Sequence, residues 1–146
     1  MDKHYLSPLD LLEIATQHAY AADNLLQQLA ENIPGKLDKL AIMTPITSLL
    51  YQAFQLTLRA YTLHELKPVK EYKTLMELVE LNNHLGFSNQ ELSLFKTLSR
   101  QQSFQKGADY RLWQNQQQLH VFCEELIALY QRVHLLMPLE LHADYQ

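Results

Sequence analysis

One long apolar stripe runs through the C-terminal third of the chain. A helix with such a stripe must pack against other apolar elements, because one whole face of it avoids water. Similar stripes recur upstream, and no alternating strand pattern competes with them. The sequence therefore predicts an all-α protein. The residues of this stripe recur at helical spacing over about seven turns: Leu112, Leu119, Phe122, Leu126, Leu129, Val133 and Leu136.

Three helix starts carry clear capping signals. Ser7 precedes Pro8, which combines a serine cap with proline at the first helical position. Thr44-Pro45 repeats this combination at the second helix. Ser88 with Glu91 forms a capping box, in which each side chain bonds the backbone N–H of the other residue. These signals predict helices that begin near residues 8, 45 and 89.

The remaining boundaries follow from helix-breaking residues. The leucines between residues 72 and 84 predict a shorter helix, with Gly86 as a left-handed stop behind it. The polar segment Arg100 to Lys106 predicts a loop before the final helix, and Pro138 predicts the end of that helix. With 146 residues, the chain suits one domain. We expect an antiparallel up-and-down bundle of about five helices over residues 1–146, with a core at roughly 7–137 and a short tail at 138–146.

Charge and composition exclude several functions. A net charge of −4 provides no basic field for a phosphate backbone, so general nucleic-acid binding is not expected. Cys123 is the only cysteine, which rules out an intramolecular disulfide and favours a cytoplasmic protein. Because no apolar run approaches about 20 residues, we expect no membrane span. With only three glycines, the chain has neither a P-loop nor a dinucleotide-binding loop.

Residues that carry metal or nucleophilic chemistry are few. Glu80 with His84 and His120 with Glu124 are each four residues apart. Such pairs either converge on a metal or remain exposed acid–histidine pairs, and the second interpretation is favoured because no complete ligand set accompanies them. Cys123 has no neighbouring cation to favour its thiolate, which predicts a packed, inert thiol. We therefore expect neither a metal nor a cofactor.

The order of helices and a few short strings resemble the HEPN superfamily (higher eukaryote and prokaryote nucleotide-binding domains). The segment from Gln52 to Ala60 is similar to the Gln-Ala-x-Glu-x-x-Leu-Lys-Ala string of its nucleotidyltransferase-partner branch. Gln55 replaces the usual acid there and Arg59 the usual lysine. Residues 73–78 retain only the leucines of the next family string, and Lys106 to Arg111 resembles the loop before the final helix. The resemblance covers residues 7–136.

This resemblance implies a non-catalytic helical module that binds a partner protein or a nucleotide-type ligand. A nucleotidyltransferase is the candidate partner, and the pairing of family members implies a homodimer, as does the wide apolar girth of the second helix. The family's cleft lies between the second helix and the start of the last one. A ligand would then meet five residues: Arg59, Tyr61, Asp109, Tyr110 and Arg111. For Asp109, Tyr110 and Arg111, a helix cap is the alternative interpretation.

A metal-independent ribonuclease toxin is the alternative function. HEPN ribonucleases carry an Arg-x4-6-His motif near the last helices, where a dimer joins two copies. Here the spacing occurs as Arg59 and His64, but on the second helix and without a counterpart near the end of the chain. A motif match needs its structural context. Enzymatic activity is therefore the less favoured expectation, with Arg59 and His64 as the catalytic pair if RNA is the substrate.

Overall fold

The computed structural model describes residues 7–32, 43–65, 74–103 and 116–142. Within these ranges every regular element is helical and no strand occurs, which confirms the predicted all-α fold. Two short 3-10 turns, Asn83–Leu85 and Leu139–Leu141, follow the third and fifth helices. The described α-helices are α1 (Pro8–Asn32), α2 (Thr44–His64), α3 (Leu75–Leu81), α4 (Asn89–Ser103) and α5 (Gln116–Leu136).

The predicted serine caps form at two helix starts, and both are capping boxes. At α2 the predicted Thr44 cap is wrong, because Met43 is the N-cap residue and makes no side-chain cap hydrogen bond. The Asp10 backbone N–H donates to Ser7 Oγ at 3.1 Å, and the Ser7 N–H donates to Asp10 Oδ2 at 3.3 Å. At α4 the Glu91 N–H donates to Ser88 Oγ at 3.1 Å, and the Ser88 N–H donates to Glu91 Oε1 at 2.9 Å. Each box satisfies two N–H groups that the first helical turn leaves without an intrahelical acceptor.

Two helix lengths differ from the sequence prediction. α3 ends at Leu81 and a 3-10 turn follows, so the predicted helix over residues 72–84 is too long; Gly86 adopts the expected left-handed φ of 84°. α4 continues to Ser103, where a loop from Arg100 onward was expected. Gln101 is buried, so a polar residue in this segment packs inside the protein. The polar composition of the segment from Arg100 onward therefore predicted the end of α4 incorrectly.

α1 and α2 form the most extensive helix pair. Alanines on both helices, such as Ala15, Ala22 and Ala53, are fully buried, and small side chains let helix axes approach closely. Thr16 on α1 and Thr57 on α2 both hydrogen bond the hydroxyl of Tyr130 on α5. The two threonines therefore lie at the same height along the bundle.

The buried side chains form one core that draws on all five helices. α2 is central, since it contacts α1, α3, α4 and α5. Its Phe54 is fully buried and meets Phe95 and Tyr130 edge to face, with ring centroids 5.1 and 5.5 Å apart. The apolar faces around α2 therefore pack against helices of the same chain. Leu141 is also buried, so the core extends past residue 137, where the tail was expected to begin.

Across the described residues, no helix is long and apolar enough to cross a membrane.

Candidate functional site

A groove lies between α1 and α5. A cavity of about 300 Å³ continues into a second one of about 330 Å³, and the two share Asp23, Ile127 and Gln131. We call this feature the α1–α5 groove. Its α1 wall comprises Thr16, Ala19, Tyr20, Asp23, Leu26 and Gln27, and its α5 wall His120, Glu124, Ile127, Ala128, Tyr130, Gln131, His134 and Leu135.

The two walls run antiparallel. Thr16 and Ala19 on α1 share the first cavity with His134, whereas Gln27 shares the second cavity with His120. From Thr16 to Gln27 a helix advances about 16 Å, or three turns, at 1.5 Å per residue. The described lining of the groove thus follows both helices over about three turns.

Exposed apolar side chains border the groove at one end. Tyr20 on α1 is 67% exposed and Leu135 on α5 is 76% exposed, and both line the first cavity. Between them, Ala19 and Ile127 are partly buried and pack against the core. A contiguous apolar surface with polar residues along it is typical of an interaction site, whereas single exposed leucines are ordinary.

A hydrogen-bonded tyrosine forms the floor. The Thr57 hydroxyl donates to the Tyr130 hydroxyl at 3.2 Å, and Tyr130 also hydrogen bonds Thr16. The Thr16 hydroxyl donates its own proton to the Leu12 carbonyl at 2.9 Å, which leaves its oxygen free to accept. Burial raises the pKa of Tyr130 above its usual value. The phenol therefore joins α1, α2 and α5 at the base of the groove.

The groove is acidic. Asp23 and Glu124 lie on opposite walls, and no Lys or Arg occurs among the described residues that line it. The whole of α1 contains four acidic residues but neither Lys nor Arg. On α5 the single cation is Arg132, whose guanidinium forms a two-pronged ion pair with Glu91 on α4. That ion pair, together with Ser88, holds the pKa of Glu91 below its usual value although burial opposes it.

Two histidines lie at the Leu135 end of the groove. The His134 and His142 rings meet edge to face with centroids 5.0 Å apart, and His142 Nε2 lies 3.0 Å from the Met137 carbonyl oxygen. Burial, and secondarily the charge of His142, lowers the pKa of His134 below its usual value. At neutral pH His134 is therefore uncharged, in keeping with the apolar character of this end.

The site residues predicted on α2 lie elsewhere, away from the α1–α5 groove. The Tyr61 hydroxyl donates to Glu65 Oε1 at 3.4 Å and lies 3.1 Å from His84 Nε2. His64 Nδ1 lies 3.3 Å from the other oxygen of Glu65. Burial and the Glu65 carboxylate raise the pKa of Tyr61. The structure thus brings Tyr61 and His64 together through Glu65, with His84 as a fourth member.

Arg59 does not share this cluster's face of α2. At 100° per residue it lies about 160° around the helix axis from Tyr61 and about 140° from His64. Its side chain is half-buried. Asp109, Tyr110 and Arg111 lie outside the described residues, as does Leu112 of the apolar stripe. The grouping of Arg59 with Asp109, Tyr110 and Arg111 into one ligand site stays a prediction.

The other residues considered for metal or nucleophilic chemistry are the two acid–histidine pairs and Cys123. His120 Nε2 lies 3.7 Å from Glu124 Oε1, with His120 half-buried and Glu124 exposed. α3 ends between Glu80 and His84, so these two do not share a helical face as the spacing suggested. In the part of the chain that the structure describes, no three His, Cys, Asp or Glu side chains come together to hold a metal. Cys123 is buried, which with the charge of Glu124 raises its pKa to about 12 and confirms the packed thiol.

The sequence interpretation missed the α1–α5 groove. A usable signal was present in the absence of Lys and Arg from the whole of α1. No family model, no curated protein and no solved structure matches this chain. The resemblance to the HEPN superfamily therefore stays a prediction, and any function has to be argued from the site itself.

Proposed function

We propose that this chain is a non-catalytic helical module that binds a partner protein in the α1–α5 groove. The observation that carries this proposal is the apolar border of the groove, where Tyr20 and Leu135 are mostly exposed beside a channel three turns long. Burying such side chains against a partner is favourable, since each removes apolar area from water at about 25 cal/mol per Å².

The groove is also preformed, which favours binding. Its walls are helices of 25 and 21 residues, and the hydrogen-bonded Tyr130 joins them to α2 at the floor. A rigid surface loses little conformational entropy when a partner binds, so more of the interaction free energy appears as affinity.

The identity of the partner follows the HEPN resemblance in this proposal, and a nucleotidyltransferase is the first candidate. The expected homodimer is also kept as a proposal, but its original reason no longer applies because α2 buries its apolar faces within the chain. Light scattering at micromolar concentration tests the dimer, since a single species near 17 kDa would contradict it. A nucleotide-type ligand at Arg59, Tyr61 and residues 109–111 remains the second form of the binding hypothesis.

Affinity purification from the source cells with matched variants tests the proposal. Leu135→Glu places a charge at the groove, whereas Leu139→Glu places the same charge at a leucine that is 64% exposed but does not line the groove. We expect a protein that the wild type and Leu139→Glu retain and Leu135→Glu loses. Equal retention by all three, with circular dichroism unchanged, would contradict binding at this groove.

One observation favours the ribonuclease alternative. The contact of His64 Nδ1 with Glu65 orients the imidazole, as carboxylates orient histidines that perform acid–base chemistry. Arg59 lies on another face of α2, so the pair would meet RNA together only across two chains. Purified protein incubated with RNA and EDTA tests this function, with His64→Ala as the variant and His120→Ala as a histidine control. Intact RNA with the wild type would eliminate the enzyme.

A further inference from the structure

We infer that the occupant of the α1–α5 groove is an amphipathic helix of a partner protein, with Lys or Arg along the borders of its apolar stripe. This inference rests on the proposed function and specifies its partner. Two independent features of the groove support it, namely the shape of its walls and the sign of its charge.

The shape favours a helix over an extended peptide. An extended segment leaves its backbone N–H and C=O groups to be paired, usually by the edge of a sheet, and the described part of the chain contains no strand. A helix pairs these groups internally and needs only a channel between two other helices. Ala19 and Ala128 line opposite walls, and their small side chains allow a third helix to lie close to both.

The charge of the groove specifies the borders of that helix. Asp23 on α1 and Glu124 on α5 both line the second cavity, and the described lining residues include no Lys or Arg to neutralise them. Asp23 Oδ1 accepts a hydrogen bond from the neutral amide of Gln27 at 3.2 Å. Cationic side chains on both sides of an apolar stripe would reach these two carboxylates while the stripe contacts Ala19, Ile127 and Leu135.

The same charges argue against other occupants. In a symmetric pair of this chain the groove would face its own copy, and Asp23 and Glu124 would meet carboxylates instead of cations. α1 offers no Lys or Arg to relieve that repulsion. RNA and anionic lipid carry the same sign as the groove, so they are repelled for the same reason.

Three synthetic helical peptides test separately whether the groove binds a helix and whether it prefers a basic one. Each has about 18 residues, or five turns, and the same leucine stripe, but the positions beside the stripe are all Lys, all Gln or all Glu. Fluorescence anisotropy of the labelled peptides measures Kd. We expect the Lys peptide to bind about tenfold tighter than the Gln peptide and the Glu peptide to bind most weakly, with the preference reduced in 0.5 M salt because salt screens surface charges.

Two double variants test whether the preference for the Lys peptide comes from Asp23 and Glu124. Asp23→Asn with Glu124→Gln should reduce the Lys preference to about that of the Gln peptide. Glu13→Gln with Glu140→Gln removes the same charge from exposed residues outside the groove and should leave the preference unchanged. Leu135→Glu should abolish binding of all three peptides.

The outcomes distinguish the inference from the function. Equal binding of the three peptides, lost with Leu135→Glu, would overturn the basic partner helix and leave groove binding standing. An equal loss of preference in both double variants would also overturn it, because the effect would then come from net charge alone. If no peptide binds, or if binding survives Leu135→Glu, both the inference and the proposed groove fail.

Discussion

Replacing Tyr130 with phenylalanine tests whether the floor of the α1–α5 groove joins three helices as the structure indicates. Tyr130→Phe removes one oxygen atom and keeps the ring, so the edge-to-face contact with Phe54 at 5.5 Å is retained. The lost hydroxyl accepts a hydrogen bond from Thr57, whose side chain is fully buried. The substitution therefore isolates a hydrogen-bond effect from a packing effect.

The surroundings of Thr57 and Thr16 determine how much stability Tyr130→Phe should cost. A buried hydroxyl left without its partner costs about 1–3 kcal/mol. Thr57 lies within α2, where a threonine hydroxyl can instead donate to the carbonyl four residues earlier, and Thr16 keeps its bond to the Leu12 carbonyl. Both effects favour the lower part of the range. We expect the free energy of unfolding to fall by about 1–2 kcal/mol.

Urea unfolding monitored by circular dichroism measures this change. With a slope of about 2 kcal/mol per molar urea, the midpoint should fall by about 0.5–1 M. Tyr61→Phe is the matched control, since it removes the same atom from a hydroxyl whose partners, Glu65 and His84, are exposed. Water can replace the lost bonds there, so that variant should change stability by no more than about 0.5 kcal/mol.

A double-mutant cycle completes the test. Thr57→Val removes the other partner, and the double variant should be less destabilised than the sum of the two single variants by about 1 kcal/mol. Additive effects would refute the contact between Thr57 and Tyr130. An equal loss of stability in Tyr61→Phe would refute the argument from burial, because the two tyrosines would then behave alike despite their different surroundings.

Three further predictions concern the core, pH and the thiol. Phe54→Ala should cost about 3–5 kcal/mol by urea unfolding, because it empties a fully buried site beside Phe95, and a smaller loss for it than for Tyr130→Phe would contradict this packing. The lowered pKa of His134 means that the unfolded chain binds its proton first, so stability should fall as pH drops below about 6.5, and less steeply in His134→Gln. A pH dependence identical to the wild type would count against this origin. Cys123 should react with a thiol reagent at pH 8 at least about 100-fold more slowly in the folded protein than in urea, and equal rates would show that it is accessible.

The local helix signals were sufficient at Ser7, Ser88 and Gly86 but not at Thr44, where Met43 is the N-cap residue instead. The capping boxes at Ser7 and Ser88 and the left-handed Gly86 depend on neighbours within a turn, so the sequence predicts them directly. The end of α4 depends on a distant contact. Gln101 is polar, but the folded protein buries it, and composition alone does not reveal this.

For the candidate site too, some properties follow from the sequence and others only from the tertiary structure. Apolar periodicity by itself determined that the chain forms a bundle of amphipathic helices, because helical spacing decides which residues share a face. Which faces remain uncovered was decided only by the tertiary structure. α1 packs closely on α2 and touches α5 less, so Tyr20 and Leu135 border a groove between α1 and α5. Packing of distant helices, which no local pattern encodes, thus created the binding surface proposed for this protein.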